Sequence, residues 1–149
     1  MYFEPLIKLI KKTQSIDLHA LINKITDESE LHDLMIKLNQ MQLQKGLRSD
    51  GSILPDYSET SVKVYGKPAG AIRLYDTGEF YNSFDLSYKP TEIFFTADPI
   101  KYDDDGNETN LFARYSVNVM GLVDDNLQIY IDKIREKLIK AIRERINVA

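Results

Sequence analysis

The chain has 149 residues, 43% hydrophobic and 28% charged, with a formal net charge of −4 and no cysteine. That length suits one domain with a buried core, and the composition is that of an ordinary globular protein. It excludes disulfides, thiolate metal sites and a cysteine nucleophile, and no apolar run approaches the ~18 residues a membrane span needs.

Residues 3–12 read as a short helix with Pro5 in its first turn. Lys11 and Lys12 follow its apolar residues instead of preceding them, so no secretory leader is expected, and synthesis in a reducing cytoplasm is. Residues 16–25 carry Leu18, Leu21, Ile22 and Ile25 on one helical face. Asp27 and Glu30 have the spacing of a capping box, opening a longer helix whose apolar positions are Leu31, Leu34, Met35, Leu38 and Met41. Gly46 is the expected stop. His19 and His32, the only histidines, lie in this helical part and read as surface residues.

Residues 46–71 change character. Asp50-Gly51 is a tight-turn dipeptide, and Pro55, Gly66, Pro68 and Gly70 predict a long irregular loop. Gly66-Lys67-Pro68 resembles a phosphate loop only superficially, because a P-loop needs Gly-Lys-Ser/Thr opening a helix.

The stretch Ile72–Leu86 is the most structured signal in the chain. It predicts a strand ending at Asp76, then a short helix. Asp76 and Glu79 form a capping-box pair, Tyr75 and Phe80 a hydrophobic staple, and Phe80 and Phe84 share a face. Gly78 leaves clearance for a neighbouring segment. Strands are then expected over 86–88 and 91–97, joined at Lys89-Pro90, with the run Ile93-Phe94-Phe95 buried. The acidic turn 102–108 fails as a calcium loop: aligned on Gly106, it has Lys101 at the first ligand position and Phe112 where the bidentate Glu belongs. A third strand is expected within 111–119. Asp124 or Asp125 should cap a C-terminal helix whose buried face is Leu127, Ile131, Ile134, Leu138, Ala141 and Ile142.

These elements predict an α+β fold: a helical part at 1–45, a long loop at 46–71, a small antiparallel sheet with a short helix at 72–119, and an amphipathic helix at 124–147 packed on that sheet. Charge is unevenly spread. Residues 1–48 are near neutral, residues 49–126 hold six Lys/Arg against fourteen Asp/Glu, and residues 127–149 hold six against three. An acidic middle argues against a general nucleic-acid binder, which shows a basic patch. A basic C-terminal helix beside it suits contacts between copies, with Leu127, Ile131, Ile134, Leu138, Arg143 and Arg145 as the candidate interface; the same charges equally serve solubility alone, the commoner use of such a face.

No catalytic pattern is present: neither Gly-x-Ser-x-Gly nor His-Glu-x-x-His occurs, and no carboxylate pair has a recognisable spacing. No catalytic residue, metal ligand or cofactor is therefore expected. The Asp-Thr-Gly of 76–78 invites comparison with an aspartic dyad, but no second such motif exists.

A family resemblance begins at these residues. A helical N-terminus is followed by Ser49-Asp-Gly-Ser, Leu54-Pro-Asp-Tyr-Ser-Glu-Thr60, Lys63 and Lys67, then Leu74-Tyr-Asp-Thr-Gly-Glu-Phe-Tyr-Asn-Ser-Phe84. That order resembles the tailed-phage virion-morphogenesis and tail-completion (head–tail joining) proteins. Leu74, Asp76, Thr77, Gly78, Phe80, Ser83 and Phe84 match the family's motif, and Gly121-Leu122 is similar to its second turn. The chain departs from the pattern at Val117-Asn-Val, where the family often has Pro-Ala-Arg-Pro, and at Leu111–Tyr115, which lacks the family's histidine. These departures bear on the position in neck or tail, not on the type of domain. The resemblance implies a small α+β subunit without a catalytic centre, forming a homo-oligomeric ring between portal and tail. Its partners would be portal, head-closure and tail proteins, with DNA only as cargo of the lumen, no membrane, and a place in the virion. The alternatives are a non-catalytic adaptor or interaction module of phage origin, and a carboxylate-dependent hydrolase or nuclease.

Overall fold

A computed structural model describes residues 4–89 and 92–147. The elements are α1 (Glu4–Gln14), α2 (Leu18–Thr26), α3 (Ser29–Gln44), α4 (Glu59–Tyr65), α5 (Glu79–Asn82), β1 (Asp85–Lys89), β2 (Glu92–Thr96), β3 (Ile100–Tyr102), β4 (Glu108–Asn110), α6 (Leu111–Tyr115), a 3₁₀ turn (Val117–Val119) and α7 (Asp124–Asn147). The class is α+β. The strands form two separate antiparallel hairpins, β1–β2 and β3–β4, where one small sheet was expected. Phe3, Pro90 and Thr91 of the expected elements lie outside the described residues.

The three N-terminal helices fall where their periodicity places them, but their ends differ. Asp17 caps α2, its carboxylate accepting from the Ala20 N–H at 3.0 Å. The expected Asp27/Glu30 capping box does not form. Asp27 closes α2, Glu28 stands at the start of α3 without a side-chain cap, and Glu30 is drawn to Lys137. Helix α3 buries Leu31, Met35, Leu38, Asn39, Gln42 and Leu43, while Met41 turns outward. The Gly46 N–H returns to the Leu43 carbonyl (2.8 Å) and ends the helix.

Residues 46–71 are not a plain loop. Ser58 caps α4 through the Ser61 N–H, isolated bridges pair Leu47 with Ile53 and Asp56 with Ala71, and Leu54 is fully buried. No strand forms at 72–75. The expected strand at 111–119 is replaced by α6 and the 3₁₀ turn, because the Asn110 carboxamide accepts from the N–H groups of Phe112 (2.9 Å) and Ala113 (3.0 Å), a helix-starting cap.

In the first hairpin Leu86 pairs with Phe95 and Tyr88 with Ile93, so these four point to one side. Phe94 points to the other face, where Lys89 Nζ covers its ring at 4.4 Å. The run 93–95 is thus half-buried by alternation, not wholly buried.

Two apolar clusters result. The first joins α2, α3, the β1–β2 hairpin and α7 through Leu21, Ile25, Leu31, Met35, Leu38, Leu86 and Tyr130. The second joins the end of α3, Leu54, α5 and α6 through Leu43, Phe80, Tyr81, Phe84, Leu111 and Val119. Ile36 packs against both. Helix α7 lies mainly against α2 and α3 and not on a sheet as expected; its buried stripe keeps the expected Ile134, Leu138, Ala141 and Ile142 but takes Tyr130 in place of Leu127 and Ile131. Tyr130, 2% exposed, leads it, followed by Ile134, Leu138, Ala141 and Ile142; Leu127 (41%) and Ile131 (39%) face outward. Asp124 and Asp125 lie inside the first turn of α7, where its dipole favours acids. The α3–α7 seam is closed by Lys137, bonded to Glu28 (2.7 Å) and Glu30 (2.6 Å).

The Tyr130 hydroxyl has no hydrogen-bond partner among the described residues. Its contribution is therefore the ring. Tyr130→Ala should cost roughly 3–5 kcal/mol of folding stability, as other buried aromatic truncations do. Tyr130→Phe should leave the urea midpoint unchanged or slightly raised. Equal losses in both variants would mean that the hydroxyl, not the ring, is what the core requires.

Candidate functional site: the Leu74–Phe84 corner and the Gly121 turn

The motif residues converge on the second cluster. Leu74 adopts φ +52, a left-handed backbone uncommon for a branched side chain, and packs its side chain partly into the cluster. The chain then turns at Asp76-Thr77-Gly78 into α5. Gly78 has φ +89 and stands at the start of the helix, a conformation a side chain would strain. The hydroxyl end of the Tyr75 ring lies where a Cβ would be in ordinary contact, at 3.4 to 3.6 Å.

Asp76 is not the helix cap. Its two oxygens are taken by the ammonium groups of Lys101 and Lys67, one from β3 and one from the segment after α4. These hydrogen bonds, with Lys101 first, hold its carboxyl down at about 2. A carboxylate engaged by two cations is a weak base. The local cap falls instead to Thr77, whose hydroxyl accepts from the Glu79 N–H at 3.4 Å. The expected Tyr75–Phe80 staple is also replaced: Tyr75 stands edge-on to Tyr81 at 5.2 Å.

Phe80 and Phe84 do meet, edge to face at 4.9 Å, with Phe112 of α6 against Phe80 at 6.2 Å. Phe84 lies beyond the short helix, so the pair joins α5 to the chain that follows it. The Tyr81 hydroxyl donates to the Arg73 carbonyl at 2.6 Å, and burial pushes its phenol well above the ordinary value. Ser83 Oγ donates to the Phe80 carbonyl (2.7 Å) and accepts from the Asp98 N–H (3.0 Å), tying the corner to the approach of β3.

The second motif is built from α3. The Asn39 carboxamide donates to the carbonyls of Val119 (3.1 Å) and Gly121 (2.8 Å), and Gln42 Nε2 donates to Gly121 at 3.2 Å. Gln42 Oε1 accepts from the Val123 N–H at 2.8 Å, and Asn126 Nδ2 donates to the Leu38 carbonyl at 3.2 Å. Gly121 has φ +105, and a Cβ there would stand 3.1 Å from Ser49 Cβ, so both conformation and approach require glycine. Leu122 packs on the first cluster. Nearby, hydrogen bonds from Ser52 and Asn118 hold Asp50 down at about 2.

The motif and the Gly121 turn are therefore brought together around the second cluster. The α7 interface candidates are not part of it: Ile134 and Leu138 pack on the first cluster, while Leu127, Ile131, Arg143 and Arg145 remain outside. His32 Nε2 lies 2.9 Å from Asp85, a tie between α3 and β1, and His19 is exposed on α2. Among the described residues no group of three or more His, Asp or Glu is arranged to hold a metal ion, and no helix is long and apolar enough to cross a membrane. Asn39, Gln42 and the Lys67–Asp76–Lys101 bridge escaped the sequence reading. The two amides had a readable signal, since they occupy the buried stripe of α3 beside Leu38 and Leu43.

No protein-family model matches the chain, and no curated protein or solved structure matches it.

The Asp76 bridge makes a pH prediction. Its folded pKa is depressed, so its stabilisation is full above the ordinary 3.8 and is lost as pH falls towards about 2. Asp76 is substantially exposed, so solvent screening limits the bridge to about 1 kcal/mol or less. Asp76→Asn should lower the urea midpoint at neutral pH, and the difference from the parent should vanish near the low end of that window. A difference that persists undiminished there would show that the ion pairs are not its source.

Proposed function

We propose that this chain is a structural subunit of a tailed-phage virion. In this reading it forms part of a ring in the neck or tail-completion region that joins head to tail and lets DNA pass. The observation that carries the reading is the state of the Leu74–Phe84 motif. Asp76, Phe80, Ser83 and Phe84 are all engaged in internal joints: an ion-pair bridge, a ring stack and a hydrogen-bonded tie to Asp98. A motif whose polar groups are occupied internally suits an architectural corner better than a reactive centre. The order of segments and the Gly121-Leu122 turn support the same family reading.

A ring is built by a head-to-tail contact, in which the two touching surfaces differ. Leu127 and Ile131, turned outward on α7, and the basic Arg143 and Arg145 are available to such contacts. Portal, head-closure and tail proteins would be the heterologous partners, the acidic middle would face a lumen through which DNA passes as cargo, and the location would be the virion. The subunit needs no cofactor for this and performs no catalysis.

Electron microscopy of the purified protein, alone and with the portal protein encoded beside it, tests the reading. Closed rings, with portal or tail-tube genes as neighbours, are the expected result. Magnesium-dependent hydrolysis of DNA by the purified chain, or a monomer that ignores the portal, would contradict it.

A further inference from the structure

Charges without an internal partner are unevenly spread along the molecule, with a basic excess at one end and an acidic turn at the other. Beside that turn Lys45, Arg73 and Arg114 also stand without an ion pair among the described residues. Helix α7 has 24 residues and so spans about 36 Å at 1.5 Å per residue. Its C-terminal end meets α1, where Lys12 Nζ donates to the Ile146 carbonyl, and α2. Around that end Lys8, Lys11, Lys24, Lys140, Arg143 and Arg145 make no side-chain hydrogen bond or ion pair among the described residues; Glu4, Asp17 and Glu144 offset only part of the charge. The N-terminal end of α7 is tied to α3 through Val123 and Gln42, a few residues after Val119 and Met120 of the second cluster. The β3–β4 hairpin is anchored to that cluster through buried Leu111, whose N–H donates to the Pro99 carbonyl at 2.8 Å. Its turn projects Asp104, Asp105 and Glu108, all exposed and without an ion pair among the described residues. Asp103, by contrast, is occupied in shaping the turn through Asn107 and the Asp105 N–H.

Each end also shows apolar surface. Helix α1 buries no residue, and Leu6, Ile7, Leu9 and Ile10 are each 42 to 50% exposed. At the acidic end Tyr65, Tyr75 and Tyr102 are exposed. Each lies within two residues of a member of the Lys67–Asp76–Lys101 bridge, which draws their three segments together. One end is basic and aliphatic; the other combines an acidic turn with exposed aromatic rings, among which Ile53 and Val64 are also exposed.

We propose that α1 and the C-terminal end of α7 form a docking surface for a second copy of this chain, which receives them on its β3–β4 turn and the adjoining Tyr65/Tyr102 surface. The inference deepens the ring reading and rests on it for the choice of occupant. The complementarity itself is intrinsic: opposite charge sets the orientation, and the matched apolar patches supply the desolvated area. An anionic lipid surface would also attract the basic end, but it leaves the acidic aromatic end without a role. The contact is heterologous, so it generates a closed ring or an open chain according to the angle between neighbours.

Two charge reversals test it by sedimentation velocity on the full chain. Lys8→Glu with Lys11→Glu reverses the basic end and spares Lys12, which holds the Ile146 carbonyl. Asp104→Lys with Asp105→Lys reverses the acidic end and spares Asp103. The parent should assemble at low salt and weaken about tenfold or more as salt screens the contact. Each variant alone should sediment as a monomer with an unchanged thermal melt. An equimolar mixture of the two should assemble again, because each reversed end then meets a complementary one. Leu6→Ser with Ile10→Ser should weaken assembly at all salt concentrations. Variants that assemble like the parent, a mixture that stays monomeric, or a parent that is monomeric yet binds phosphatidylserine vesicles would each overturn the proposal. Assembly into open chains would keep this contact and remove the ring reading.

Discussion

Two carboxamides tie α3 to the turn that leads into α7. Asn39 and Gln42, on successive turns of α3, reach the carbonyls of Val119 and Gly121 and the N–H of Val123. Both side chains are almost entirely buried. A buried backbone turn without such partners loses hydrogen bonds it cannot recover from water, at roughly 1–3 kcal/mol per group. The staple fixes where the chain leaves the second cluster and enters α7. Through α7 it also fixes Tyr130 in the first cluster. Gly121 is part of the same device, since its positive φ and its approach to Ser49 both exclude a side chain.

That joint explains why the two ends of the molecule hold a fixed relation. Helices α3 and α7 run beside each other, closed at one end by the amide staple and at the other by Lys137 with Glu28 and Glu30. The apolar clusters sit along this pair, linked by Ile36. The β3–β4 turn and α1 are carried outward at opposite ends. A body of this kind suits assembly: the carboxamide nitrogens of the joint are taken up internally, and apolar side chains remain exposed on α1 and along the outer face of α7. The Asp76 bridge serves the same end, drawing the segment after α4 and strand β3 onto the motif corner.

Periodicity made the helices legible. Leu21 and Ile25, then Leu31, Met35 and Leu38, repeat at helical spacing and are buried. So did the alternation of β1 and the turn dipeptide Asp50-Gly51. Caps were less legible, because a capping box is one local solution that distant partners can outbid. Asp76 went to Lys67 and Lys101, nine and 25 residues away, and Glu30 went to Lys137. The 111–119 segment was misread as strand because its composition favours neither state, and the decision rests on the single carboxamide of Asn110. On α7, isoleucine and leucine occupy so much of the circumference that the face read from hydropathy took in Leu127 and Ile131, which turn outward, and left out Tyr130. Tyr130, an amphipathic residue, fixed the stripe. Of the site, the aromatic pair Phe80–Phe84 and the glycine turn were readable, whereas the Lys–Asp–Lys bridge depends on tertiary proximity that no local pattern encodes.

By its position between Val119 of the second cluster and α7 of the first, the amide staple couples the two clusters into one body. Native-state hydrogen exchange tests this coupling most directly, on the parent and on Asn39→Ala. In the parent, the slowest amides of α3, α7 and the hairpin β1–β2 should open with the same free energy as those around Phe80–Phe84. In Asn39→Ala the second-cluster segments 80–84 and 111–119 should open at lower free energy than the core formed by α2, α3, α7 and the β1–β2 hairpin. Independent opening of the two clusters in the parent, or no separation in the variant, would contradict the account.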